Sequence, residues 1–189
     1  MRLHCIVEDV DTARVAVEGG ATVIQLRLKD IPTLAVVEVG RPIAALCRKS
    51  NVSFVVNDDV EAALALNADG VHLGRGDEGK ELAQAAGLML GISATSIYEA
   101  IAAVEQGATY IGAGPIWDTP TKPDASSPIG LDGLAAICEA VKVPVVAIGG
   151  VDVSNARDCI AAGATGVAVV RASKDAREVR AAVDAAKTF

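Results

Sequence analysis

The chain has 189 residues, 51% of them hydrophobic, and a formal net charge of −7. This is ample apolar sequence for a core, and we predict one domain over residues 1–189. The acidic balance argues against nucleic-acid partners and against an anionic membrane surface. Only 3% of the residues are aromatic, which argues against stacking platforms for single-stranded nucleic acid.

The cysteines and the N-terminus predict a cytoplasmic protein. None of the four cysteines is part of a C-x-x-C pair, so we expect small buried side chains in a reducing compartment. They are Cys5, Cys47, Cys138 and Cys159. The first residues show no signal-peptide pattern. The longest stretch without charge, 82–98, contains glycine and polar residues and does not resemble a membrane span.

Short apolar runs rich in β-branched residues alternate with Ala-rich amphipathic stretches along the whole chain. The runs predict strands at 3–7, 23–28, 53–56, 70–73, 88–92, 110–114, 143–148 and 166–170. The amphipathic stretches predict helices at 10–18, 32–49, 60–66, 78–86, 97–106, 131–141, 155–162 and 176–186. The strand runs do not alternate cleanly with polar residues, which is typical of strands buried on both faces of a parallel sheet.

Eight strands and eight helices in alternation predict an α/β fold, a compact (β/α)8 TIM barrel. Such barrels typically have about 250 residues, and this chain has 189. Its loops are therefore expected to be short. An open doubly wound sheet is the alternative, but that fold more often carries a glycine-rich first turn, and residues 8–11 are not glycine-rich.

Cationic side chains follow the second predicted strand, and in a barrel of this kind the site forms where the strands end. Arg27 and Lys29 alternate with leucines, so both are expected to point to one side. Arginine and lysine are the usual partners of phosphate oxygens. The pair therefore predicts a phosphate-binding position, with a solvated strand end as the alternative.

Carboxylates follow the third and fourth predicted strands. Asp58 and Asp77 are expected to converge there, and two carboxylates with water and substrate phosphates make a magnesium site. The alternative for Asp58 is that it caps the helix at 60–66, in which case Asp59 is a first-turn acid.

Two further segments predict anion binding. Gly149 and Gly150 follow the seventh strand, where backbone N–H groups approach a phosphate closely. The longest irregular segment, 118–130, offers Thr119, Thr121 and Lys122 to close over an anionic ligand. A tight turn and a surface linker are the respective alternatives. His72, inside an apolar strand, is interpreted as a core histidine.

Six segments in order resemble the thiamine-phosphate synthase family. They are QLRLK at 25–29, NDDV at 57–60, ADGVHLG at 68–74 followed by Asp77, GIS at 91–93, GPIWDTPTK at 114–122 and AIGGV at 147–151. The resemblance implies a transferase of thiamine biosynthesis. A hydroxymethylpyrimidine diphosphate would lose pyrophosphate, and the nitrogen of a thiazole phosphate would take up the pyrimidine methylene group to give thiamine phosphate.

The resemblance also implies roles for individual residues. The pyrimidine would be bound by Gln25, the pyrophosphate by Arg27, Lys29, Asn57, Ser93 and Lys122, and Mg²⁺ by Asp58 and Asp77. The thiazole phosphate would be bound by Thr119, Thr121, Gly150, Val170 and Arg171. Arg27, Lys29, Ser93 and Lys122 would be the catalytic residues. The partners implied are small phosphorylated molecules, with assembly into a homo-oligomer left open.

The chain departs from the family pattern in places, and two other functions compete. Leu28 stands where the family usually has an acidic residue, and Arg171 where it usually has serine. One alternative is a thiazole tautomerase-like isomerase, but that branch lacks the metal carboxylates and has a histidine where Pro115 stands. The other is a non-catalytic paralogue that binds thiamine phosphate, which would need no pyrophosphate site.

Overall fold

Eight parallel strands close into a barrel in chain order, with β8 pairing back onto β1. The computed structural model describes residues 1–119 and 127–186. The strands are β1 Leu3–Val7, β2 Val23–Leu26, β3 Ser53–Asn57, β4 Gly70–Leu73, β5 Met89–Ala94, β6 Tyr110–Ala113, β7 Val145–Ile148 and β8 Gly166–Val169. The predicted (β/α)8 barrel is confirmed, and the open sheet is excluded because the sheet has no free edge.

Helices alternate with the strands around the outside. They are α1 Val10–Glu18, α2 Thr33–Ser50, α3 Val60–Ala65, α4 Lys80–Ala85, α5 Ile97–Glu105, α6 Gly130–Ala140, α7 Ala156–Ala161 and α8 Ala176–Ala185. A 3₁₀ helix, Arg171–Asp175, joins β8 to α8 and was not expected from the sequence. The second strand is shorter than predicted, because its pairing with β3 ends at Leu26.

The apolar residues form two separate layers of core. The larger layer lies between the strands and the helices and includes Ile24, Leu73 and Ile111, none of which is exposed. The smaller layer fills the barrel interior with Ile6, Tyr110, Val146 and Ala168. Because strand residues are buried on both faces, the strands read as continuous apolar runs.

Side-chain caps begin several helices directly after the strand that precedes them. Asp9, Asp59 and Ser96 each accept the N–H of the residue three positions on. Such caps satisfy N–H groups that have no partner within the helix. Short turns result, and the residues that follow the strands are held at one end of the barrel.

The thiols are mostly buried, as expected. Cys5, Cys47 and Cys159 are buried, Cys138 is partly so, and all four are free. Burial raises the pKa of each of these thiols, so they are protonated at neutral pH. Among the described residues, no helix is both long enough and apolar enough to cross a membrane.

Candidate active site

A cavity of about 650 Å³ opens at the carboxyl ends of the strands and reaches down into the barrel. Eleven of the thirteen site residues expected from the sequence line it. They are Gln25, Arg27, Lys29, Asn57, Asp58, Asp77, Ser93, Thr119, Gly150, Val170 and Arg171. The other two, Thr121 and Lys122, lie outside the described residues. These eleven residues therefore lie together at the end of the barrel where the sequence predicts them.

The two cations that follow β2 reach the cavity on either side of a leucine. Leu28 packs against the core, so Arg27 and Lys29 are directed the other way, into the cavity. Neither forms a salt bridge within residues 1–119 and 127–186. Both act electrostatically on Asp58. Their charges are therefore available to an anionic ligand.

Neighbouring aspartates at the end of β3 have different tasks. Asp59 is the N-cap of α3, where its Oδ1 accepts the Ala62 N–H at 2.8 Å. The interpretation of Asp59 as a first-turn acid is therefore wrong, and Asp58 is not the cap. Asp58 adopts a left-handed backbone with φ of 64°, and its N–H donates to the His72 carbonyl at 2.8 Å. Capping by Asp59 leaves the Asp58 carboxylate to the cavity.

The carboxyl group of Asp58 faces that of Asp77. Partial removal from water inside the cavity, the charge of Asp77 and a hydrogen bond to Asp77 together raise the pKa of Asp58 to about 6. Arg27 and Lys29 oppose this rise. Asp58 lies at the cavity mouth, where the facing carboxylate of Asp77 adds to the effect of partial removal from water. Two such carboxyl groups without a cation between them repel each other.

Asp77 is fixed in place by its own turn. Its Oδ2 accepts the Gly74 N–H at 2.6 Å, and Lys80 Nζ donates to its carbonyl at 2.6 Å. One carboxylate oxygen remains for a ligand. Within the described part of the chain, no group of three or more His, Cys, Asp or Glu side chains is placed to hold a metal ion. The donor set here is thus two carboxylates.

A buried amide pair lies deeper in the barrel, on β2 and β3. Gln25 Nε2 donates to Asn57 Oδ1 at 2.7 Å, and the two residues are 3% and 9% exposed. This bond uses one donor of Gln25 and leaves its carbonyl oxygen and the Asn57 amide group for other partners. The pair can read the hydrogen-bonding edge of a flat polar ring.

His72 lines the cavity between two hydroxyl groups. Its Nδ1 lies 3.0 Å from the Tyr110 hydroxyl and its Nε2 lies 3.0 Å from Ser93 Oγ. Burial lowers the pKa of His72 to about 4, although the charge of Asp77 acts the other way. The ring is neutral at pH 7. It holds Ser93 in place at the cavity wall and is therefore more than a core side chain.

Two glycines after β7 carry the backbone past the segment that follows β6. Gly149 and Gly150 have φ of 92° and 69°. A Cβ on Gly149 would lie 2.5 Å from Pro115 Cβ, and one on Gly150 would lie 2.7 Å from Trp117 Cβ. Only glycine fits here. The close approach exposes backbone to the cavity beside Val170, which precedes the 3₁₀ helix.

One carboxylate lies on the same side of the cavity as these glycines. Hydrogen bonds from the side chain and N–H of Ser154 hold the pKa of Asp152 below its usual range, and the charge of Arg171 contributes. Asp152 is therefore ionised at neutral pH. Arg171 supplies the positive charge that offsets it, which gives this departure from the family pattern a structural use.

Several cavity residues were missed from the sequence. Thr95, Arg75, Tyr110 and His4 also line the cavity. Arg75 is paired with Glu99, whose other oxygen accepts from the Thr95 backbone and hydroxyl. Successive side chains of a strand point to opposite faces of the sheet. This alternation in direction along β1 and β6 was the signal that could have placed His4 and Tyr110 inside the barrel.

The family model described as thiamine monophosphate synthase matches residues 4–173. The chain belongs to this family. It is 48% identical over 169 residues to the thiamine-phosphate synthase of Chloroflexus aurantiacus, and the aligned region covers 88% of this chain and 78% of that protein. It is 46% identical over 178 residues to the thiamine-phosphate synthase of Pyrococcus furiosus, covering 93% of this chain and 86% of that protein.

Solved structures agree with the family assignment. The thiamine phosphate pyrophosphorylase from Pyrococcus furiosus superposes with a TM-score of 0.88 at 40% identity, covering 97% of this chain and 95% of that chain. A 3-hexulose-6-phosphate synthase matches with a TM-score of 0.65 at 20% identity, which shows the barrel fold alone. Membership of the thiamine monophosphate synthase family makes the chain a transferase of thiamine biosynthesis.

Proposed function

We propose that this chain joins a hydroxymethylpyrimidine diphosphate to a thiazole phosphate and releases pyrophosphate, giving thiamine phosphate. Family membership supports the reaction class. The observation that carries the assignment to this cavity is local: Asp58 and Asp77 face each other beside Arg27 and Lys29 at one mouth. That combination suits a diphosphate and a divalent cation together.

Stabilisation of the leaving group is the main task of such a site. When the bond between the methylene carbon and the diphosphate oxygen breaks, negative charge accumulates on the departing oxygen. Arg27 and Lys29 are placed to offset that charge, because both reach the cavity and neither is committed to a salt bridge with a described residue. Preorganised charges of this kind commonly provide the largest part of catalysis.

The two carboxylates fit Mg²⁺. This cation keeps several waters and is usually held by one or two carboxylates plus substrate phosphates, which is the donor set of Asp58 and Asp77. When bound, Mg²⁺ would neutralise charge on the diphosphate. The raised pKa of Asp58 supports the assignment, since a cation between the carboxyl groups would remove their repulsion.

The remaining residues divide the cavity between the two substrates. We assign the pyrimidine to Gln25, because the buried bond to Asn57 orients its amide group. We assign the thiazole phosphate to the backbone at Gly150 and Val170 with Arg171 and Thr119, which line the opposite wall. The roles of Thr121 and Lys122, which the sequence predicts to close over the anionic ligands, remain predictions.

The competing functions make different demands on the site. A thiazole isomerase or a non-catalytic binder of thiamine phosphate would have no use for facing carboxylates at a cationic mouth. Pro115 also lines the cavity where the isomerase branch has histidine. We further propose a cytoplasmic location, because four free thiols suit a reducing compartment.

The test is incubation with both substrates, with and without Mg²⁺. We expect release of pyrophosphate and formation of thiamine phosphate in equal amounts, only when both substrates and the cation are present. Pyrophosphate release that does not need the thiazole would indicate a hydrolase. Conversion of a thiazole phosphate without the pyrimidine diphosphate would indicate the isomerase, and binding of thiamine phosphate without any turnover would indicate the non-catalytic paralogue.

A further inference from the structure

Three side chains from three consecutive strands form a hydrogen-bonded series along the cavity wall. The Tyr110 hydroxyl on β6 contacts Nδ1 of His72 on β4 at 3.0 Å, and His72 Nε2 contacts Ser93 Oγ on β5 at 3.0 Å. Glycines make room for the imidazole: a Cβ on Gly91 would lie 2.5 Å from Nδ1, and one on Gly112 would lie 2.8 Å from Cε1. The ring is built into the wall.

The direction of the hydrogen bonds follows from the buried end of the series. Tyr110 is 1% exposed and packs among Ile6, Val146 and Ala168. Within the described residues, its hydroxyl has no hydrogen-bond partner besides His72. If Nδ1 carried the proton, the tyrosine O–H would have no acceptor, and a buried donor without a partner costs about 1–3 kcal/mol. The tyrosine therefore donates to Nδ1.

A neutral imidazole has one donor and one acceptor nitrogen. With Nδ1 accepting from Tyr110, the ring proton must be on Nε2, where it points at Ser93 Oγ. The serine oxygen then accepts from the ring and its own O–H is free to turn toward the cavity that Ser93 lines. In the opposite tautomer, Nε2 would accept a hydrogen bond from the Ser93 O–H, and the serine would then direct an oxygen lone pair at the ligand.

We propose that Tyr110 fixes His72 as the Nε2–H tautomer, and that this tautomer makes the Ser93 hydroxyl a hydrogen-bond donor to an anionic oxygen of the substrate. Tyr110 and His72 are thus positioning residues that act through Ser93. The identity of the anion, the departing diphosphate, rests on the proposed function; the direction of the hydrogen bonds does not. A donor matters here because a lone pair directed at an anion would repel it.

The tautomer can be measured directly in the ligand-free protein by ¹⁵N NMR after histidine labelling. The chain has two histidines, so two rings give the spectrum, and a His4→Leu variant identifies the His72 signals. We expect His72 to show a protonated Nε2 and an unprotonated Nδ1 at pH 7.5. A protonated Nδ1 in the wild-type chain would overturn the proposal, whether or not any variant folds.

Two tyrosine variants provide a matched comparison. Tyr110→Phe removes the donor to Nδ1, so we expect signals of the Nδ1–H tautomer to appear alongside the original ones. Tyr98→Phe is the control, since Tyr98 is 86% exposed on α5 and should leave the spectrum unchanged. An unaltered His72 tautomer in a folded Tyr110→Phe protein would contradict the role given to Tyr110.

Kinetics show whether the tautomer acts through the serine. We expect Ser93→Ala and Tyr110→Phe each to lower kcat about tenfold, and the double variant to fall no further than Ser93→Ala alone, because residues in one series are not additive. A double variant whose loss in kcat equals the product of the two single losses would show that Tyr110 does not act through Ser93. If the wild-type chain forms no thiamine phosphate, the proposed function fails, and the NMR result still decides the direction of the hydrogen bonds.

Discussion

Asp58 and Asp77 bring their carboxyl groups together across the ends of β3 and β4, close enough to share a hydrogen bond when one is protonated. The arrangement depends on Asp59, which caps α3 and frees its neighbour. Repulsion between the two carboxylates costs stability in the ligand-free protein. A site that is strained without its cation gives predictions on stability as well as on activity.

The first prediction concerns the stability of the ligand-free chain. The pKa of Asp58, about 6, lies above the usual value near 4, so stability falls as the pH rises from about 4 to 6, and the full penalty for the ionised form is present above pH 6. We expect Asp58→Asn to raise the free energy of unfolding at pH 8 without divalent cations by about 1 kcal/mol, after allowing for screening at this exposed position. The gain should fall to less than half at pH 4.5. Urea unfolding at both values measures it.

The control for that measurement is Asp59→Asn. It removes a carboxylate at the adjacent position, and asparagine keeps the helix cap. We expect little change in stability at either pH. An equal gain in both variants would mean that general negative charge, and not the contact with Asp77, is responsible.

The second prediction concerns Mg²⁺. A ligand that binds only the folded state raises the Tm as its concentration rises. We expect millimolar Mg²⁺ with pyrophosphate to raise the Tm of the wild-type chain, and to have little effect on Asp58→Asn or on Asp77→Asn. A full shift in both variants would place the cation elsewhere.

The third prediction compares two arginines of the cavity, one whose charge is available to the substrate and one that is already paired with a glutamate. Arg27→Gln is expected to lower kcat about a hundredfold, the size typical for loss of one preorganised charge at a transition state. Arg75→Gln is the matched comparison, because Arg75 lines the same cavity and is bound to Glu99. A change of less than about threefold is expected there. Steady-state rates of pyrophosphate release measure both, and similar losses in the two variants would count against the assignment of Arg27.

The fourth prediction concerns the buried His4. Neither ring nitrogen has a hydrogen-bond partner among the described residues, and burial lowers the pKa of His4 to about 3. As the pH falls below 6.5, His4 takes up a proton in the unfolded chain but stays neutral in the folded chain. Protonation therefore favours the unfolded state, and the free energy of unfolding falls as the pH is lowered. We expect His4→Leu to be more stable than wild type by about 3 kcal/mol at pH 4.5 relative to pH 7.5. Denaturant unfolding at both pH values measures it. A difference in the free energy of unfolding between the two proteins that is the same at pH 4.5 and pH 7.5 would contradict the prediction.

The fifth prediction concerns the seam that closes the barrel. Ser173 is fully buried, and its hydroxyl lies within hydrogen-bond distance of the carbonyls of Ile6 on β1 and Val169 on β8. We expect Ser173→Ala to lower the free energy of unfolding by about 1 kcal/mol. Ser154→Ala, which alters an exposed serine beside α7, is the comparison, and an equal loss in both would remove the seam from the explanation.

The barrel itself was predictable from local patterns. Each β-branched run and each amphipathic stretch reports its own structure through side-chain periodicity, and eight alternating units allow few architectures other than a closed parallel barrel. The loops after the strands then had to meet at one end. This is why the cations after β2 and the carboxylates after β3 and β4 were placed correctly.

The tasks of adjacent residues were not predictable in the same way. Asp58 and Asp59 are chemically identical, and both precede α3. The left-handed backbone at Asp58 and the bond from Ala62 to Asp59 decide which aspartate caps the helix and which one faces the cavity. Backbone conformation at a single residue is not encoded in hydrophobic periodicity.

Patterns repeated along the chain were enough to predict the barrel, the end at which the strand-end side chains gather and the family to which the chain belongs. The bond between Gln25 and Asn57, and the position of His72 between Tyr110 and Ser93, emerge only in the folded chain. These contacts join different strands, and strand register places them face to face. Distance in the barrel interior depends on that register, which no short segment of sequence specifies.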